Sequence, residues 1–222
     1  MPRTAPAPAV TLSSGISCRR PTKSHANAAY AIRRAVATRN AESGPFPYAR
    51  TMDPNGVEVM DRPRPAQDAD ERDTLAGVLD FLRATVVNKV AGLTDQNALS
   101  QAVPPSALSA AGVVRHLTGV ERFWFSIDFA GSDLPWPWTE NDPHGNFRPH
   151  KTETLASIVA GYRAECARSR EVVASASLDD IARTEGMAFK LRYAMVHMIE
   201  ETARHCGHLD LLRERIDGVT GE

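Results

Sequence analysis

Four polar residues near the C-terminus have the types and spacing to do chemistry: His197, Glu201, His205 and His208. On an α-helix, at about 100° per residue, Glu201, His205 and His208 lie roughly 40°, 80° and 20° from His197. They share one narrow sector, flanked by Met195 and Met198, so the sector reads as inward-facing. A carboxylate taken out of water is costly unless it is paired or bound to a cation. Glu201 and His205 stand one turn apart and can converge on one ion. A third ligand is available on another segment, where His116 sits among Val113, Leu117 and Val120, close to an apolar stripe. Imidazole with carboxylate suits zinc, nickel, iron or manganese. The chemical reading is therefore a divalent-metal site of His116, Glu201 and His205. It stands beside a plainer one, in which the histidines are hydrogen-bonded core residues and Glu201–His205 is an ordinary i, i+4 contact.

Positioning such a site requires facing helices, and the hydrophobic periodicity supplies four. Leu75, Val78, Leu79, Leu82, Val86 and Val90 follow the 3.6-residue period, with Asp68, Asp70, Glu71 and Asp73 at the positive start and Gly92 near the end; this predicts a helix over 70–92. After Pro104-Pro105, with Ser106 or Ser109 as cap, Val113, Leu117, Val120, Trp124 and Ile127 predict a helix over 107–130. A third, capped by Thr152 or Thr154, buries Leu155, Ile158, Val159, Tyr162, Cys166, Ser169, Val172 and Val173. A polar link around 179–186 leads to the fourth, over 189–217, which ends at Gly218. One long connection, 132–152, holds four prolines with Trp136 and Trp138. A loop of that length in a compact domain is often functional. Its tryptophans either cover the mouth of a pocket or anchor the loop by packing, the second being favoured. Arg192 and Arg213 could meet an anionic substrate, although pairing with acids such as Glu200 or Glu214 is commoner. Four amphipathic helices with one long connection make an all-α four-helix bundle over 66–222.

The first 65 residues are different. They are rich in Ala, Pro, Ser, Thr and Arg, and proline interrupts any long helix. The segment reads as disordered, with a short helix near 28–38, or as an extension produced by a start assigned upstream of Met52 or Met60, in preference to a transit peptide. No acidic residue precedes Glu42, and the stretch before it carries +7. A net charge of −1 for the whole then leaves −8 for the remainder. An acidic body lacks the basic face that phosphate backbones require, which argues against nucleic acid. No apolar run is long enough to span a bilayer. Three cysteines, Cys18, Cys166 and Cys206, do not make a disulfide framework and fit a reducing compartment, so the expected location is the cytoplasm. Cys166 falls on a packed face, and Cys206 lies about 180° from His197 on the wheel, so neither is expected to be catalytic.

Two stretches resemble a known family. LRYAMVHMIEETARHCGHLDLLRE, Leu191 to Glu214, resembles the last core helix of actinobacterial DinB-like proteins, and VVRHLTGVERFWF, Val113 to Phe125, resembles their second. The similarity runs through about 70–217 in the same order, with the same loop rich in Trp and Pro. It implies an up-up-down-down four-helix bundle around one metal ion. Many members use three histidines; here Glu201 replaces one, which matches the branch similar to mycothiol-dependent maleylpyruvate isomerase. By that resemblance the ligands are His116, Glu201 and His205, with His197 and His208 around them or facing substrate. The chain shows no extra C-terminal domain of the isomerase type, so a different reaction is expected. The implied function is a metal-dependent thiol S-transferase, with zinc favoured, that activates mycothiol or a similar small thiol for attack on an electrophile. The alternatives are metal-dependent hydrolysis and a metal-containing stress or binding protein without turnover. A homodimer is compatible with all three.

Overall fold

A computed structural model describes residues 52–221. The earlier residues, including the short helix expected at 28–38, lie outside the described residues. The described chain is all-helical: bridges such as Ile181 with Lys190 occur singly, and none extends into a strand.

Helix α1 is Glu71–Val90, and Asp70 caps it by accepting from the Asp73 amide. Helix α2 is a single short turn, Asp95–Leu99, that the periodicity does not signal. Helix α3, Ala110–Glu121, starts at Ser109, whose hydroxyl accepts from Gly112 N. It continues into a π-helical run, Arg122–Phe129, in which Ala130 N donates to Phe125 O, five residues back. The wider turn shifts the buried face, so Phe125 and Phe129 enter the core and Trp124 stays half-buried. Helix α4, Leu155–Ala174, opens with a capping box between Thr154 and Ser157. Helix α5, Leu191–Asp217, ends at Gly218, which takes the left-handed conformation (φ +77°) that glycine adopts without a Cβ penalty.

The pairings fix the helix directions. Glu71 meets Arg192 at one end and Lys89 meets Asp210 at the other, so α1 and α5 run parallel. Arg115 meets Glu153 and Arg122 meets Glu165, so α3 and α4 are parallel too. Asp80 beside Arg170 sets α1 antiparallel to α4, and His116 beside Glu201 with Trp124 beside Tyr193 sets α3 antiparallel to α5. The order is up-down-down-up, which corrects the up-up-down-down arrangement. The reason lies in the connections, because up-up-down-down needs two crossovers and this chain has one. Residues 91–109 stay at one end, where Leu93 and Ala98 join Val90 and Ala110 in a first hydrophobic cluster. The link before α5 stays at the other end, where Leu178 and Ala182 join Leu79 and Leu191 in a second. Only 132–152 travels the length of the helices. Between the clusters runs a polar belt that includes Arg83, Glu121, Glu165, Ser169 and Thr202, all buried.

The residues just before α1 also depart from expectation. Instead of belonging with a disordered leader, Val57 is buried in the first cluster. The Met60 backbone pairs with both ends of the Asn88 amide, and Arg163 holds Glu58. The folded part therefore starts before residue 65.

Candidate metal centre

His116, on the α3 face turned toward α5, meets Glu201 and His205 from consecutive turns of α5. The His116 Nε2 and the His205 Nε2 each lie 3.1 Å from the same oxygen, Glu201 Oε1. The ligand atoms of the three residues are all within 4.8 Å of one another. For metal bonds of ~2.0–2.1 Å in a tetrahedron, neighbouring ligands sit roughly 3.3 Å apart, so these contacts have the right scale. The three side chains are 13%, 13% and 6% exposed, partly out of water but reachable. The donor set, two imidazoles and a carboxylate, suits a borderline divalent cation. Hydrogen bonds from His116 and then His205 outweigh burial and hold the Glu201 carboxyl well below the usual carboxylate range. Arg204 donates to the other oxygen, Oε2, at 3.2 Å.

Each histidine is held from behind. His208 places Nδ1 3.2 Å from His205 Nδ1, and burial followed by the His205 charge lowers its pKa. Behind His116 stands the Asn146 amide, 3.0 Å from Nδ1, while Phe147 stacks on the ring at 3.9 Å and 10°. Sequence reasoning missed both, because they sit on a turn of the long loop, Gly145–Phe147, where no periodicity marks which residue points inward. A signal did exist on the helix beneath. Gly112 and Gly119 lie seven residues apart on α3, where glycine is normally unfavourable. A Cβ at Gly112 would come within 2.3 Å of the Phe147 carbonyl oxygen, and one at Gly119 within 2.7 Å of Pro137. The two glycines form the groove in which the loop lies, and Arg115 ties it down through the Gly145 and Asn146 carbonyls.

His197 is not among the converging atoms. Its ring packs on Trp124 at 4.3 Å and stacks with Tyr193, one turn up the helix from Glu201. Trp136 and Trp138 join Phe123 in the same aromatic group, with Trp136 still 57% exposed. The part of the loop that covers the three converging residues is thus Asn146–Phe147, and the tryptophans pack elsewhere. Arg192 pairs with Glu71 and Asp179, and Arg213 with Asp217, rather than with Glu200 or Glu214. Cys166 and Cys206 are both buried, and burial pushes both thiols up, Cys206 to about 11. No described helix is long and apolar enough to cross a membrane.

The family model described as Mycothiol-S-transferase matches residues 74–218. The chain belongs to the mycothiol S-transferase family. The matched span runs from the first turn of α1 to the glycine that ends α5, so this DinB-like family covers all three converging residues and the loop behind them. A crystal structure of a conserved protein from Enterococcus faecalis is similar in fold, with 16% identity and a TM-score of 0.52 over 68% of this chain and 99% of that one. No curated protein matches.

Proposed function

We propose that this member of the mycothiol S-transferase family is a metal-dependent thiol S-transferase built on a four-helix bundle, with His116, Glu201 and His205 as ligands of one divalent ion, zinc favoured. The observation that carries the reading is the single oxygen, Glu201 Oε1, placed 3.1 Å from both imidazole Nε2 atoms. Three protein ligands leave a position open for a small molecule. A divalent ion held there supplies the positive charge that makes a bound thiol acidic enough to act as thiolate at neutral pH.

The chain's own residues orient and shield. Arg204 holds Glu201 Oε2 and leaves Oε1 turned to the histidines. His208 and Asn146 fix the rings of His205 and His116 from behind, and Phe147 keeps water from one face of His116. His197 and the aromatic group around Trp124 lie one turn away and offer a surface for the electrophile. The substrate sulfur forms a bond to an electrophilic carbon, the leaving group departs with its electron pair, and the thiol proton passes to solvent. The protein contributes no covalent nucleophile, since both described cysteines are buried with raised pKa. Cytoplasmic location follows from the same reading, because the chemistry needs a reduced thiol pool.

The test is transfer itself. Purified protein loaded with zinc should convert mycothiol and an alkyl halide to the thioether, detected by mass, and a chelator should abolish the excess over the uncatalysed rate. Conversion at the uncatalysed rate with metal bound would count against the transferase reading, and ester hydrolysis without thiol would support the hydrolytic one.

A further inference from the structure

We propose that Asn146 is a positioning residue that sets the tautomer of His116 and thereby prepares the site for a cation. The inference rests on the metal-binding reading above and deepens it. A neutral imidazole has one N–H and one lone pair, and the partner on one nitrogen decides which role the other plays. To act as a ligand, His116 Nε2 must offer its lone pair, so the proton must sit on Nδ1 and needs an acceptor there. The group at Nδ1 is Asn146, 3.0 Å away and 3% exposed. In the structure its Nδ2 faces the ring, and its Oδ1 is buried with no hydrogen-bond partner. That arrangement makes Nδ1 the acceptor and leaves Nε2–H to donate to Glu201 Oε1, which is a closed, metal-free set of hydrogen bonds.

A half-turn of the amide exchanges oxygen and nitrogen without changing its shape. Oδ1 then accepts from Nδ1–H, and the Nε2 lone pair becomes free for a cation. An amide serves both states. A carboxylate can only accept, and an aliphatic side chain can do neither. The ring cannot escape the choice by rotating, because Phe147 stacks flat on it, while the close approach of the loop to Gly112 and the bonds from Arg115 fix the loop.

The experiment compares zinc affinity, by competition with a chromogenic chelator, in wild type, Asn146→Leu, Asn146→Asp and His116→Ala. Alongside, nitrogen chemical shifts report the tautomer of His116 with and without zinc. Asn146→Leu should bind zinc ~10–100-fold more weakly, the range typical of lost outer partners. Asn146→Asp should bind at least as tightly as wild type and should carry a proton on Nδ1 even without metal, where the wild-type Nδ1 is bare. If Asn146→Leu does not fold, the Asp variant alone still decides. Wild-type affinity in Asn146→Leu, or a bare Nδ1 in metal-free Asn146→Asp, would overturn the inference. If wild type and His116→Ala bind zinc alike, the ligand assignment itself fails, an outcome readable apart from the Asn146 results.

Discussion

Two carboxylates in the polar belt invite comparison. Glu121, on α3, is fully buried and takes a two-pronged contact from Arg83, at 2.7 and 2.6 Å. Glu201, on α5, is 13% exposed on its side chain, and its Oε1 faces two imidazoles. The guanidinium beside Glu121 is permanently charged and matches the carboxylate in shape. Burial of Glu121 is thereby balanced within the protein. Imidazoles carry no fixed charge near neutral pH, and the one guanidinium at Glu201, the exposed Arg204, is shared with Glu200 and touches only Oε2, so Oε1 gains a full counter-charge only from protons or from an ion. The first arrangement locks α1 to α3. The second leaves a place that a cation would complete on the proposed reading, and it lies where two helices and a loop meet.

Arg83→Met or Glu121→Leu alone should cost about 3–5 kcal/mol of folding stability, seen as a large drop in Tm, because either leaves a buried charge unpaired. The double variant should recover most of that loss, as apolar replacements of buried pairs often do. At the other carboxylate the loss should be of metal. His116→Ala and His205→Ala should each weaken binding by more than the ~10–100-fold that outer partners cost, while shifting the metal-free Tm far less than Glu121→Leu does. Equal stability losses at both sites would erase the distinction.

Two smaller effects lie outside the belt. Relative to a chain that starts at Met52, one that starts at Met60 loses Val57 from the first cluster and should be less stable by roughly 1.5–3 kcal/mol. An unaltered Tm in the shorter form would show that Val57 contributes nothing. The smallest effect concerns Cys206. Its thiol is pushed up to about 11, so the neutral form dominates at pH 7 and alkylation should be slow, rising about tenfold per pH unit until that value is reached. Mild alkylation at neutral pH should leave metal content unchanged, and metal loss would mean the thiol lies closer to the site's chemistry than its burial implies.

Helical patterning made much of this legible. The four long helices, the Asp70-led start of α1 and the Gly218 stop all follow from local period and cap chemistry. So does the meeting of Glu201 with His205, which one helical turn guarantees. His116 could be paired with them because it interrupts an apolar stripe with a metal-ligating type. Three things were hidden. Helix direction depends on how far each connection travels, which α2 obscures between α1 and α3. The π-helical run changes which aromatics are buried without changing composition. The fixed sector on the helical wheel grouped His197 with Glu201, yet Trp124 from the π-helical run after α3 claims its ring, a tertiary contact that no single-helix projection contains. Asn146 was hidden for the same reason, being positioned by glycines on another element.

The most direct measurement of the central claim is metal stoichiometry by elemental analysis in wild type, Glu201→Ala and His197→Ala, all purified identically with zinc present. The account predicts close to one zinc per chain in wild type and in His197→Ala, and most of it lost in Glu201→Ala. Full metal in Glu201→Ala together with loss in His197→Ala would contradict it, placing the site on His116, His197 and His205 instead.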